Sequence, residues 1–190
     1  QLSVAVSPDL GFFGVTDEVA ERVSETAAWL KGRMVQVDEV ELGWTREIAD
    51  GWVRHWHVYL AAFFGEALDS LGGEADANLV DAVEKGRSHN AVEIKRLELL
   101  RKHQWDIIRP FLEKYDIILS PTMTRPAVSV DDNDATYHLR TDDGRKHGLD
   151  MTSVFNWIPW CPAISVPVGL SQEGLPIGIH LLGRPGRDDS

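Results

Sequence analysis

PAISVPVGLSQEGLPIGIHLLGR, residues 162–184, carries the pattern that decides the fold. AISVPVG (163–169) and GIHLLGR (178–184) are short, largely apolar runs. The stretch LSQEGLP between them holds turn formers, so the segment predicts two strands joined by a turn. Pro162 and Pro167 have no backbone N–H, which places each at a strand end or at an unpaired position. Gly174 permits the turn, and Gly178 permits close approach of a neighbouring strand.

Working outward, YDIILSPT (115–122) is a further apolar strand, stopped by Pro121. Residues 124–148 are polar and rich in Pro, Asp and Gly, a long loop of the functional or mobile kind. The chain opens with LSVAV (2–6), which alternates and runs into the turn formers of SPDLGFFG. Thr16 is placed to cap a helix that carries Val19, Val23, Ala27 and Leu30 at helical spacing and stops at Gly32. MVQVDEVEL (34–42) follows as a second strand whose phase slips near Asp38. Strand, helix and strand in sequence call for an α/β architecture.

From Thr45 a second helix puts Ile48, Trp52, Trp56, Leu60 and Phe63 on one stripe. SLGGEADA breaks it, and Leu79, Val80 and Val83 suggest a short helix closing at Gly86. Ser88 is placed to cap a long helix with Ile94, Leu97, Leu100, Ile108 and Phe111 facing inward, and Pro110 predicts a kink or an early end. The strands near 2–6, 34–40, 116–120, 163–168 and 178–183 are expected in one mixed sheet covered by helices.

The 190 residues carry a net charge of −11, and clustered Lys and Arg are absent, which argues against a nucleic-acid partner. The acidic residues concentrate at Glu66 to Glu84 and Asp131 to Asp143, as solvated surface does. No apolar run approaches the ~20 residues of a membrane helix. The N-terminus lacks the basic and apolar regions of a signal peptide. A single cysteine, Cys161, excludes an internal disulfide framework and fits a reducing cytoplasm. Seven tryptophans are many for this length, so large aromatic rings fill a core or a pocket.

Self-contained catalytic motifs are absent. There is no G-x-S-x-G elbow, S-x-x-K pair, P-loop or G-x-G-x-x-G. GLSQEG (169–174) comes near the elbow but sits in the turn. His55 and His57 point to different faces of a helix and call for no metal. Cys161 reads as a small buried hydrophobe with no base beside it. The carboxylate pairs Asp131 with Asp132 and Asp142 with Asp143 sit in the polar loop and read as solvated.

Three segments resemble the C-terminal part of the amidase signature family. YDIILSPTMTRPA (115–127) is similar to its strand ending in Pro-Thr with a following Pro-Ala. The segment 162–184 is similar to its Pro-Ala-x-x-x-Pro-x-Gly, Gly-Leu-Pro-x-Gly and closing strand. LSVAVSPDLGFFGVTDEV (2–19) resembles the strand leading into a helix after the signature region. One departure is local: in FNWIPWCPA (155–163), Pro159 and Trp160 stand where the family places Gly, and Asn156 sits one residue further upstream.

The resemblance implies an α/β/α fold around a mixed sheet and hydrolysis of a carboxamide to an acid and ammonia or an amine, without a cofactor. It also implies a Ser nucleophile, a second Ser in a cis peptide and a Lys base on a Gly- and Ser-rich stretch. That stretch belongs upstream of residue 1, so no catalytic residue is carried over. Residues 1–190 then form a single partial domain, the C-terminal half of an amidase, expected to be inactive alone and prone to self-association. Its partner in the intact enzyme is a small-molecule amide: aliphatic, aryl, cyclic, or the glutamine of tRNA-dependent transamidation. Residues 151–161, with Trp157, Trp160 and Cys161, are expected on the acyl-binding side, where indoles favour an apolar or aromatic acyl group. The alternative is a non-catalytic α/β binding or regulatory module.

Overall fold

The computed structural model describes residues 2–70, 75–130, 132, 144–158 and 160–186. Asp131 and residues 133–143 of the polar loop, which include Asp142 and Asp143, lie outside them, as do residues 71–74 of the expected helix break. The chain divides into two compact units, one built from Gln1–Arg46 and Trp105–Ser190, the other from Glu47–Gln104.

The first unit is organised by one five-stranded sheet, ordered β2-β1-β3-β5-β4. Its strands are β1 (Ser3–Val6), β2 (Gln36–Glu39), β3 (Ile117–Pro121), β4 (Ala163–Leu170) and β5 (Pro176–Gly183). β1 runs parallel to both β2 and β3, whereas β5 is antiparallel to β3 and to β4, so the sheet is mixed as the sequence called for. Helix α1 (Asp17–Lys31) joins β1 to β2 and packs Val23 on Val4, Val6, Val37, Leu119 and Ile179. These are alternate residues of neighbouring strands, which share a face because the strand period is two. Val4, Val23 and Leu119 are each no more than 1% exposed, a burial that stabilises by about 1.5–3 kcal/mol per side chain.

Thr16 does occupy the N-cap position of α1, yet its hydroxyl does not cap. It donates to the Thr124 carbonyl, as the Thr16 amide does at 2.9 Å, so the start of α1 is tied to the loop after β3. Gly32 ends the helix with a helical φ of −63°, and Met34, at φ 59°, makes the reversal into β2. At the other end of the sheet, the Asp116 carboxylate accepts from the Ser3 amide at 2.9 Å and the Ser3 hydroxyl at 2.8 Å. The Tyr115 hydroxyl donates to Asp38 at 2.9 Å, which fixes β2 beside β1.

The second unit holds most of α2 (Arg46–Ser70), α3 (Ala77–Arg87) and the first part of α4 (Ala91–Lys114). Asp76 caps α3 by accepting from the Asn78 and Leu79 amides. Ser88 closes α3, and Asn90 opens α4 through a capping box with Glu93, so the helix starts two residues after the expected cap. Pro110 stays inside α4, which continues to Lys114. Gly86 is not the end of α3 either. A Cβ there would overlap the His57 carbonyl oxygen, so this glycine lets α3 approach α2 closely.

The stripe expected on α2 divides in two. Ile48 and Leu60 are buried, whereas Trp56, Tyr59 and Phe63 are exposed; with Trp52 they form a row in which each ring stacks on the next, at centroid spacings of 5.9, 5.4 and 6.0 Å. Helical spacing identifies one face, but the neighbour that would cover it is a tertiary matter.

Candidate functional site

The face of the sheet away from α1 is polar at its centre. His180 on β5 stands opposite Ser120 on β3 and Ser165 on β4. One pair along, the Thr122 and Ser165 hydroxyls meet at 2.8 Å, directly above Gly178. A Cβ at Gly178 would lie 3.1 Å from the Thr122 oxygen and 3.2 Å from that of Ser165. The close approach expected of this glycine is therefore between two hydroxyls across β5.

Residues 144–158 are laid over this face by a chain of local bonds. The Thr124 hydroxyl donates to the Gly148 carbonyl at 2.7 Å, and the Met151 amide bonds the Thr122 carbonyl. Arg145 pairs with Asp9 at 2.7 Å. The Asp150 carboxylate then accepts from the Thr152 and Ser153 amides and caps a short 3-10 helix, Ser153–Trp157. Val154, Phe155 and Trp157 of that turn are buried, with the Phe155 ring in tilted contact with His180 at 4.7 Å and with Trp44 at 5.2 Å.

The three residues expected on the acyl side are not grouped on one surface. Trp157 is 2% exposed and belongs to the core under the 3-10 helix. Trp160 is 61% exposed and meets Trp105 edge-on at 6.3 Å. Cys161 is half-buried and lines a cavity of about 240 Å³ with Thr152, Phe155, Asn156, Ile158, Ala163, His180 and Leu182. Burial pushes the Cys161 thiol up to about 11, so it is protonated and not a nucleophile at neutral pH.

His180 escaped the reading of the sequence, although its place in GIHLLG marks it as sharing a face with Gly178 and Leu182. It is 5% exposed, and burial pulls its imidazole below the ordinary histidine value, with Asp150 acting weakly the other way. The ring is therefore neutral at pH 7. A serine beside a neutral histidine suggests a nucleophile and its base, but the geometry does not make one. Ser120 Oγ and His180 Nδ1 are buried, and neither has a hydrogen-bond partner among the described residues. Among those residues no group of three or more His, Cys, Asp or Glu is placed to hold a metal, and no helix is long and apolar enough to cross a membrane.

The face opposite is different in kind. A cavity of about 490 Å³ opens there, walled by Leu2, Val4, Trp29, Leu30, Val166, Val168 and Leu181 among others. Beside it β4 forms one edge of the sheet, with Ile164 60% and Leu170 58% exposed.

Comparison with known proteins fits this architecture. An acylamidase of Rhodococcus erythropolis is 27% identical over 191 residues, covering 98% of this chain and 39% of that protein. A glutamyl-tRNA(Gln) amidotransferase subunit of Oceanobacillus iheyensis is 26% identical over 210 residues, covering 96% and 41%. The crystal structure of a bacterial aryl acylamidase of the amidase signature family shares the fold, with a TM-score of 0.79 at 22% identity over 97% of this chain and 40% of that one. The chain thus spans about two fifths of the length of these relatives. The sequence profile of the Amidase family matches residues 1–190, end to end, and with the mixed sheet in place this chain belongs to the amidase family.

Proposed function

We propose that these 190 residues are the C-terminal part of a longer amidohydrolase that cleaves the C–N bond of a small carboxamide, and that they contribute a wall of the site rather than its nucleophile. The observation that carries this reading is the family match along the whole chain, joined to a site face on which no hydroxyl among the described residues is paired with a histidine or lysine. Amide cleavage needs an activated nucleophile and donors fixed on the developing oxyanion. The chain offers instead a short 3-10 turn, a small cavity lined by Cys161 and, one residue before Cys161, an exposed indole.

Trp157, Trp160 and Cys161 are the residues assigned to the acyl side, Trp157 from a buried position and Trp160 from the surface. An exposed indole and a cavity walled by Phe155 and Ile158 favour an apolar or aromatic acyl group over glutamine. One cysteine and the absence, among the described residues, of a membrane-crossing helix agree with work in a reducing cytoplasm. Alone, the chain is expected to self-associate through its exposed β4 edge and the neighbouring apolar groove. A sedimentation profile that stays monomeric as concentration rises would count against that.

The experiment for the central reading offers a panel of aliphatic amides, aryl amides and anilides to a longer polypeptide containing this chain. Hydrolysis with a preference for aromatic acyl groups is expected. Failure to cleave any member would defeat the proposal.

A further inference from the structure

Helix α2 displays a row of aromatic rings to solvent. Trp52, Trp56, Tyr59 and Phe63 follow one another at intervals of four, three and four residues, the spacing of an apolar seam between paired helices. Successive rings are near parallel, with interplanar angles of 24°, 10° and 9°. Trp56, Tyr59 and Phe63 are 43%, 51% and 67% exposed, and Phe64, set edge-on to Phe63 at 4.8 Å, is 37% exposed. A contiguous apolar patch of this kind marks an interaction surface. Rings already held by their neighbours also lose little freedom when a partner covers them.

Symmetry and area narrow the partner. The intervals read the same in either direction along the helix, so a second copy turned end for end presents the same row. Trp56 of each copy then meets Tyr59 of the other, and Trp52 meets Phe63. Such a contact closes on itself, because a two-fold axis uses one patch on both copies. It also sets the positive end of each helix dipole beside the negative end of the other. A buried Trp, Tyr or Phe covers about 150–250 Å², so these part-exposed rings leave on the order of 400 Å² open on each copy. Two copies bury roughly twice that, and the exposed Ala67 and Ser70 beside the seam bring the total to about 1,000 Å², the lower bound for a specific pair.

We propose that α2 is a homodimer contact, in which two copies of this chain pair their Trp52, Trp56, Tyr59 and Phe63 rows antiparallel across a two-fold axis. The row lies within the second unit and is separate from the β4 edge of the first. The pairing does not depend on any activity of the chain. At this size it is reversible, and forms as concentration rises through the micromolar range.

The test is disulfide trapping in the 190-residue protein carrying Cys161→Ser. Trp52→Cys and Phe63→Cys are made as separate proteins. In the antiparallel pair each of these positions faces the other and lies about 16 Å along the axis from its own copy. A disulfide needs Cα atoms about 4.4–6.8 Å apart. The mixture is expected to cross-link under mild oxidation, and neither variant alone. Phe63→Glu changes an exposed side chain that enters the contact twice, so it should weaken dimerisation about a hundredfold by sedimentation. Ile164→Lys, on the β4 edge, should leave this dimer and its cross-link in place. Self-linking of either cysteine variant, or a dimer lost in Ile164→Lys and kept in Phe63→Glu, would overturn the assignment. So would a chain that stays monomeric and floats with phosphatidylcholine vesicles, which would make a lipid surface the occupant. A dimer of these residues that vanishes in a longer polypeptide would overturn it too, by giving the row to the added residues. If Trp52→Cys fails to fold, Phe63→Glu and Ile164→Lys still decide the matter.

Discussion

The two faces of the sheet are made by the same strands and differ in what they carry. On β5, Ile179 and Leu181 turn towards α1 and join Val4, Val6 and Leu119 in an apolar layer. Gly178, His180 and Leu182 turn the other way, where they meet hydroxyls and the 3-10 helix. The first face is built for cohesion, and any apolar side chain of the right volume would serve there. The second keeps a glycine, a neutral histidine and two serines where hydrophobes would pack better. A fold that accepts such a cost on one face only marks that face as the one with a task besides stability.

Substitutions can break or sharpen this contrast. Trp157→Ala, under the 3-10 helix, should cost about 3–5 kcal/mol, and Leu119→Ala, on the α1 face, about 2–5 kcal/mol. Chemical denaturation of the two variants checks both values. In the proposed longer amidohydrolase, Leu119→Ala should lower stability with the order of substrates unchanged, whereas Trp157→Ala should disturb both. Equal effects on the substrate order would erase the distinction between the faces.

Acidification should weaken the protein through the same buried histidine. Burial holds His180 below the ordinary histidine value of 6.5, so the native state takes up its proton later than the unfolded chain does. The unfolded state therefore binds more protons as pH falls through that value, and stability drops. His55 and His57, also lowered chiefly by burial, act in the same direction within the second unit. The melting temperature should fall between about pH 7 and about pH 5. His180→Gln should flatten part of the slope; an unchanged slope would mean that the ring is not held neutral by its burial. Asp116, held below the usual carboxylate range by the Ser3 hydrogen bonds, adds a loss at more acidic pH as it protonates.

Gly178→Ala should cost about 1 kcal/mol, the scale of one hydrogen bond, by pushing apart the Thr122 and Ser165 hydroxyls. Ser165→Ala alone should cost no more, and the double variant should show no additive loss. Additive costs would mean that the glycine serves another contact. The smallest effect on stability belongs to Trp160→Ala, within about 0.5 kcal/mol, as for other exposed positions. In the proposed longer amidohydrolase the same change should alter the substrate profile. An unaltered profile would remove Trp160 from the acyl side.

The sheet was legible because its strands announce themselves by alternation and punctuation. β5 reads as an apolar run bounded by the Gly174 turn and Gly183, and Pro121 and Pro162 mark strand boundaries through the N–H they lack. What the sequence concealed depends on partners distant along the chain. Trp56 and Phe63 share helical spacing with Ile48 and Leu60, yet only the latter pair is covered. Ser88 and Asn90 are both good caps, and the choice fell to Asn90 because Glu93 stands three residues on to complete the box. His180 looked like any strand histidine until its neighbours, Phe155, Ser120 and Ser165, were brought beside it by the fold. Trp157 and Trp160, three residues apart, looked alike in sequence; the 3-10 turn buries one and leaves the other at the surface.

The claim that this chain supplies a wall and not a nucleophile is tested most directly by assaying the 190 residues alone. The purified chain, at high concentration, is offered the amides and anilides used for the longer polypeptide. No hydrolysis above the uncatalysed rate is expected. Turnover by the chain itself, abolished by Ser120→Ala or by changing another of its own serines, would contradict it.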